Sequence, residues 1–162
     1  MLFNRKILLA VAWSCMSVAM VGFAAASDAS VAKEWGFIGL WKENCSAPAT
    51  FQDPRRRHFE QQGQLYTESE WDDQPAGKAL SQISDVIAKS DSSLEYKRRG
   101  LRMEMSDGRK AGPANFLSLV LIVKEGANRI RVYSEESNNT PGIVDGIILR
   151  SNSPTKWMNP CR

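Results

Sequence analysis

The sequence predicts an all-β protein, an antiparallel up-and-down barrel of about eight strands that follows an N-terminal signal peptide. Two patterns support this fold class. Apolar and polar residues alternate with a period of two along most of the chain, and short turn-rich segments separate the alternating runs at even intervals. We favour a closed barrel over an open sheet because closure leaves no unpaired edge strands.

The first 26 residues have the features of a secretory signal peptide. Arg5 and Lys6 are positively charged, residues 7–23 are almost continuously apolar, and three alanines follow at 24–26. An uncleaved membrane anchor is the alternative, because the apolar run is close to the shortest spanning length of about 17 residues. We expect cleavage, a periplasmic or secreted location, and no stable membrane span in the mature protein.

Cleavage leaves about 136 residues, which is the size of one ordinary domain. We expect residues 27–35 to be a flexible N-terminal segment and residues 36–162 to form a single β-barrel domain. The chain has 21 basic and 18 acidic residues, and two of the basic residues lie in the signal peptide. The mature charge is therefore close to neutral, which gives no indication of a nucleic-acid partner. The basic triplets 55–57 and 97–99 are interpreted as solvated strand surface.

Two cysteines, Cys45 and Cys161, remain after signal cleavage. In an oxidising compartment they are expected to form a disulfide bond. Such a bond closes a loop of more than about 100 residues, which the chain-entropy description credits with about 4 to 5 kcal/mol. A metal site is the competing interpretation, but two thiols without a spaced histidine cluster are a poor set of zinc ligands.

The first strands are predicted from alternation and turn residues. Residues 55–61 and 64–71 flank Gln62-Gly63 as a hairpin, and residues 83–88 and 94–99 flank a turn-rich segment as a second hairpin. A helix over 79–88 is the rival to a strand there, because Leu80, Ile83 and Ile87 are helically spaced. A change of alternation phase near Gly100 predicts a β-bulge.

The remaining strands follow from apolar runs. Residues 37–43 form the predicted first strand, and residues 116–123, apolar except for Ser118, are expected to be covered on both faces or to lie deep in a barrel wall. Residues 125–128 are a predicted turn, which the strand at 129–133 follows. A loop at 138–142 precedes a last strand at 143–150. Asp145 lies within this strand and shares a face with its isoleucines, and the hydrophobic pattern does not explain that placement.

Gly39-Leu40-Trp41, near the start of the first strand, resembles the Gly-x-Trp signature of lipocalins and other calycins. The resemblance implies a lipocalin-like barrel whose closed end is plugged by Trp41. It also implies that Arg150 packs across the indole in a cation–π contact. More widely, GLWKENCSAP and PTKW are similar to segments of small exported proteins of Gram-negative bacteria, which implies a compartment and a fold but no activity.

No pattern of catalytic residues is found, so the protein is predicted not to be an enzyme and to need no cofactor and no metal. The one histidine, His58, lies in an arginine-rich strand without a nucleophile motif and is interpreted as a surface residue. Glu135 and Glu136 are adjacent, and adjacent residues of a strand point to opposite faces. The remaining tryptophans are expected in the core or at its rim.

Two function classes remain. The first is an exported, lipocalin-like binding protein for a small hydrophobic or amphipathic ligand, with a cavity lined by Leu101, Met103, Leu119 and Leu121. The second is a solid-core β-barrel that acts through its surface as an envelope interaction protein or an inhibitor. An enclosed apolar cavity of at least ~300 Å³ would favour the first class.

Overall fold

The computed structural model describes residues 26–111, 116–126 and 129–162. The predicted signal peptide lies outside the described residues except for Ala26, so it stays a prediction. Helix α1 spans Asp28–Trp35 and is the one helix of the described part of the chain. No helix in these ranges combines the length and the apolar character that a membrane crossing requires.

All other regular elements of the described residues are β-strands, which confirms the all-β, antiparallel prediction. In chain order they are β1 (Gly39–Lys42), β2 (Arg55–Gln61), β3 (Gln64–Trp71), β4 (Gly77–Ser90), β5 (Ser93–Met105), β6 (Lys110–Ala111), β7 (Leu117–Glu125), β8 (Arg129–Ser137), β9 (Thr140–Val144), β10 (Ile147–Ile148), β11 (Ser153–Pro154) and β12 (Asn159–Cys161).

The strands form one open sheet, so the prediction of a closed eight-stranded barrel is wrong. Their order is β11-β10-β9-β8-β7-β5-β4-β3-β2-β1-β12, and β6 pairs with β5 beside this path. The sheet still curls, because Met158, just before β12, exchanges two backbone hydrogen bonds with Ile130 of β8. This single bridge is not a continuous ladder, and the short strands β9 to β11 extend the sheet beyond β8 instead of closing it.

Both predicted hairpins are confirmed. β2 and β3 pair through Gln61 and Gln64, and the turn residues Gln62 and Gly63 both have positive φ, which matches the twist of two-residue hairpins. β4 and β5 pair over almost their whole length, so residues 79–88 are a strand and not a helix. The register shifts between Leu80 and Ser81, opposite Gly100 and Arg102, which confirms the predicted bulge.

The predicted strand over 143–150 is wrong, because the chain reverses inside it. Asp145 and Gly146 have φ values of 52° and 75° and join β9 to β10 as a tight hairpin. Asp-Gly is among the strongest two-residue hairpin signals, since both residues tolerate positive φ. The turn explains why an aspartate interrupts an otherwise apolar segment.

Residues 27–35, expected to be a flexible segment, instead contain the capped helix α1. Ser27 caps the helix by accepting a hydrogen bond from Ser30 N, and Gly36 ends it in the left-handed conformation. The Asp28 carboxylate also accepts hydrogen bonds from the backbone N–H groups of Asp85 and Val86, at 3.0 and 2.9 Å. These two residues lie in a bulge of β4, so the helix satisfies donors that the ladder leaves free.

The apolar core lies where α1 packs on the inner face of the sheet. Its central side chains are almost completely buried and come from the helix, the segment after it, six strands and the residue before β12: Ala32, Trp35, Phe37, Trp41, Leu65, Ile83, Val86, Leu94, Tyr96, Val120, Ile122, Ile130 and Met158. Because Trp35 donates its indole N–H to Ser90 O, α1 covers the end of the sheet that carries the β4–β5 turn. We call this the helix end.

The predicted disulfide bond between Cys45 and Cys161 is confirmed, with a Cα–Cα distance of 5.5 Å. It joins the loop after β1 to the end of β12, and β12 itself pairs with β1 through Leu40 and Cys161. Asn159 adds a side-chain hydrogen bond of 2.7 Å to Glu43 O. The C-terminal segment is therefore fixed to β1 both covalently and by backbone pairing.

Candidate functional site

A cavity of about 180 Å³ lies on the inner face of the sheet, where it adjoins the apolar core at Phe37, Tyr96, Ile122, Ile130 and Met158 and is lined by no residue of α1. We call this region the pocket end. One wall of the cavity is apolar and includes Ile122, Ile130, Val132, Ile143 and Ile148. The polar and charged lining residues come mostly from β2, β3 and β5, namely Arg56, His58, Thr67, Ser69, Tyr96 and Arg98, while Glu135 lies on β8 across from Ile143 of β9.

The hairpin register places two polar side chains of β2 on the inner face. Arg56 lies opposite Ser69, and His58 lies opposite Thr67. Because side chains alternate between faces along a strand, the neighbouring Arg57 is exposed on the outer face. The His58 ring stacks on Phe37 with ring centroids 3.8 Å apart, which fixes the ring between the cavity and the core.

The other charged groups come from β5 and β8. Arg98 donates from Nη2 to Glu135 Oε1 at 2.6 Å, and both side chains are partly buried. Ser137 donates to the same carboxylate oxygen at 3.3 Å and pairs with the buried Ser118 hydroxyl at 2.6 Å. Glu135 is thus held from two sides, and its charge is matched by that of Arg98.

Arg56 differs from Arg98 because it has no carboxylate partner among the described residues. Its hydrogen bond is to the Met158 sulfur, at 2.8 Å from Nη1, and a thioether is only a weak acceptor. Burial, and then the charge of Arg98, lower the pKa of Arg56 below its ordinary value. The guanidinium remains a cation, since arginine is not deprotonated in proteins. The described cavity wall therefore carries a positive charge that has no ion-pair partner, although the charges of Asp53 and Glu135 act on it from a greater distance.

His58 and Tyr96 are neutral polar groups of the same wall. Burial lowers the pKa of His58 to about 3, and the charges of Arg56 and Arg98 act in the same direction. Burial raises the pKa of Tyr96 to about 12. His58 Nδ1 and Arg98 Nε are buried and have no hydrogen-bond partner in the described structure. Such groups are costly to leave unsatisfied, which suits a site that a polar ligand completes.

This arrangement is suited to binding an amphipathic molecule. A ligand's apolar part would contact the isoleucine wall, and its polar part would meet the guanidinium of Arg56. The volume of 180 Å³ is below the range of about 300–1,000 Å³ usual for drug-sized ligands. The cavity therefore suits a small molecule or one end of a longer one, and it is not the large apolar cavity that would favour a hydrophobic ligand.

The four residues proposed to line a cavity lie elsewhere. Leu101, Met103, Leu119 and Leu121 do not contact the cavity. Leu119 is 44% exposed, and Leu117 on the same face is 50% exposed, while Ser118 and Val120 between them are buried. The expectation that 116–123 is covered on both faces is therefore wrong, because its inner face includes Ser118 and its leucines point outwards.

The Gly-x-Trp residues are only partly as expected. Trp41 is 4% exposed and belongs to the apolar core, and its indole N–H donates to Phe37 O at 2.9 Å. The expected contact with Arg150 is absent from the described cation–π pairs, and Arg150 is exposed in the turn after β10. A basic residue does cover an indole at the helix end, where Lys124 Nζ lies 4.4 Å from the Trp35 ring.

The sequence interpretation missed the site because it treated both basic triplets as solvated surface. The middle residue of each triplet, Arg56 and Arg98, points inwards. The signal was available for Arg98, since it lies in the alternation phase of Leu94 and Tyr96. His58, expected at the surface, is 4% exposed for the same reason, because it shares its phase with Arg56.

Comparison with known protein families, curated proteins and solved structures finds no match to this chain. The similarity to lipocalins therefore stays a prediction that rests on Gly39, Trp41 and the strand pattern.

Proposed function

We propose that this protein is an exported, non-catalytic binding protein for a small amphipathic ligand, which occupies the cavity at the pocket end. The observation that carries the proposal is the division of the cavity into an isoleucine wall and a wall with Arg56 and Arg98. Export is supported by the Cys45–Cys161 bond, since disulfides persist in oxidising compartments.

A titration with sodium octanoate and 1-octanol, followed by amide chemical shifts of the oxidised protein, tests this proposal. Binding of either amphiphile should shift the amides of cavity residues such as Thr67 and Val132. The variant Ser69→Trp should abolish these shifts, because the indole would fill the cavity. Glu68→Trp is the matched control, since the neighbouring residue lies on the outer face of β3 and leaves the cavity open.

The outcome that contradicts the proposal is saturation with both amphiphiles without any shift at the cavity residues. Equal shifts in the wild type and in Ser69→Trp would also contradict it, because binding would then be elsewhere on the protein.

One observation favours the alternative of a protein that acts through its surface. Leu117 and Leu119 are exposed beside Lys97, Glu136 and Asn138 in a shallow outer hollow between β5, β7 and β8. Exposed apolar patches with polar rims can mark contact sites. If an envelope partner is found, a Leu117→Ser, Leu119→Ser variant should weaken its binding, while Ser69→Trp should leave it unchanged.

A further inference from the structure

The charges around the cavity do not cancel. Arg56 and Arg98 are cations, and Glu135 is a carboxylate paired with Arg98. Two further charged groups at the rim already have partners, since Asp53 pairs with Lys42 at 2.8 Å and Lys156 pairs with Glu43 at 2.5 Å. The described cavity wall therefore has one positive charge in excess, located at Arg56.

We infer that the cavity selects ligands with a single negative charge, and that Glu135 is the residue that excludes doubly charged anions. Arg56 is the anchor for the anionic group. The inference rests on the proposed function, because it names the charge class of the ligand of the same cavity.

The reason is the low effective dielectric inside a protein. Arg56 is partly buried, and a partly buried charge without an ion-pair partner is costly, so a monoanion beside it lowers an existing cost. A neutral head group leaves Arg56 with only the weak sulfur acceptor of Met158. A dianion would bring a second negative charge close to Glu135, and like charges in a buried site repel strongly. A ligand with one negative charge therefore neutralises the excess positive charge of the cavity wall.

Besides its positive charge, the cavity wall offers hydrogen-bond donors to an anionic group. Arg98 Nε is a buried donor without an acceptor among the described residues, and the hydroxyls of Thr67 and Ser69 line the same wall. Charge-assisted hydrogen bonds of this kind are about twice as strong as neutral ones. An oxyanion between β2 and β5 could accept from Arg56 and Arg98 together, while Glu135 keeps its bond to Arg98 Nη2.

Four probes with the same alkyl chain test the inference: octanoate, 1-octanol, octyl phosphate and octylammonium. Calorimetry of the oxidised protein at about pH 8 compares a monoanion, a neutral molecule, a dianion and a cation, since the second phosphate pKa is about 6. Octanoate should bind at least about tenfold more tightly than each of the others, which is the size of effect that one charged hydrogen bond provides.

Two substitutions with matched controls locate the effect. Glu135→Gln removes the negative charge and should raise the affinity for octyl phosphate relative to octanoate by about tenfold or more. Glu136→Gln is the control, because Glu136 is exposed on the outer face. Arg56→Gln should lower octanoate affinity by about tenfold or more and leave 1-octanol unchanged, with the exposed Arg57→Gln as its control.

Arg56→Lys keeps the charge and should retain most of the preference for octanoate over 1-octanol. Circular dichroism of each variant shows whether it is folded, and Arg56→Met serves as a second variant without the charge if Arg56→Gln does not fold.

The outcomes separate this inference from the proposed function. If none of the four probes binds, both fail. If probes bind in the cavity but octanoate and 1-octanol bind equally, the ligand proposal stands and the charge inference is overturned. An unchanged ratio of octyl phosphate to octanoate in folded Glu135→Gln removes the role of Glu135.

Discussion

The two ends of the inner face are built from the same strands but are stabilised differently. At the helix end, β5 contributes Leu94, which is completely buried in an apolar core under α1. Four residues further on, the same strand contributes Arg98, which lies beside Glu135 and a cavity. Burial of apolar surface supplies stability at the first end, while the second end leaves space and unsatisfied polar groups.

The difference indicates which part of the molecule is structural and which part is available for binding. The pocket end is held by other means, namely the Cys45–Cys161 bond and the Glu43–Asn159 hydrogen bond. A covalent bond requires no apolar filling, so it can fix the C-terminal segment while leaving a cavity beside Met158 and β8. The following experiments would sharpen or break this division.

The largest effect is expected at the disulfide. Replacing both Cys45 and Cys161 by serine should lower the free energy of unfolding by about 4 to 5 kcal/mol, because the bond closes a long loop in the unfolded chain. Urea melts measure the loss, and hydrogen exchange should increase more at Met158 than at Leu94. Two reactive thiols in the natively purified protein, or equal exchange at both ends, would break the comparison.

The second effect concerns the apolar core. Trp41→Ala should cost about 3 to 5 kcal/mol, because it removes a large buried side chain. Trp157→Ala should cost less, since this indole is partly exposed and packs on Arg129 and Arg131. A wild-type urea midpoint for Trp41→Ala would mean that burial of the Trp41 side chain contributes nothing to stability. The similarity to Gly-x-Trp proteins should then be abandoned.

The third effect is acid sensitivity at the pocket end. The pKa of His58 is about 3 in the folded state against 6.5 ordinarily, so below pH 6.5 the unfolded chain binds a proton that the folded chain does not. Wild-type stability should fall as pH decreases through this window, by roughly 2–3 kcal/mol at about pH 4.5. His58→Phe keeps the stacking on Phe37 and should show a flatter dependence in urea melts at stepped pH. Parallel curves would place the acid sensitivity at other groups.

The smallest effect compares one lysine from each end. Lys124 lies over the Trp35 ring and donates to Trp35 O at 2.9 Å, so Lys124→Met should cost about 0.5 to 2 kcal/mol. Lys156→Met removes an exposed ion pair with Glu43 and should change stability by less than about 1 kcal/mol. Thermal melts of the two variants measure their losses of stability, and a larger loss of stability for Lys156→Met would reverse the expected order.

The sequence by itself determined the local structure of this protein. Period-two alternation and the Gln62-Gly63 turn were sufficient to predict β2 and β3. The phase change at Gly100 was sufficient to predict the bulge. The pairing of Cys45 with Cys161 followed from the two cysteines that remain after the predicted signal cleavage. These features are local, or have one possible partner, so neighbouring residues or simple counting specify them.

Only the tertiary structure decided which face of each strand is inside and whether the sheet closes. The apolar character of its segment predicted that Leu119 faces inwards. In the structure, Val120 pairs with Tyr96 and Ser118 pairs with Arg98, so these two residues of β7 lie on the inner face. The inward position of Arg56 follows from strand pairing that joins β2 to both β1 and β3. An arginine triplet is interpreted as surface because an isolated charge is costly to bury. That cost is lowered here by a cavity that no local sequence pattern reveals.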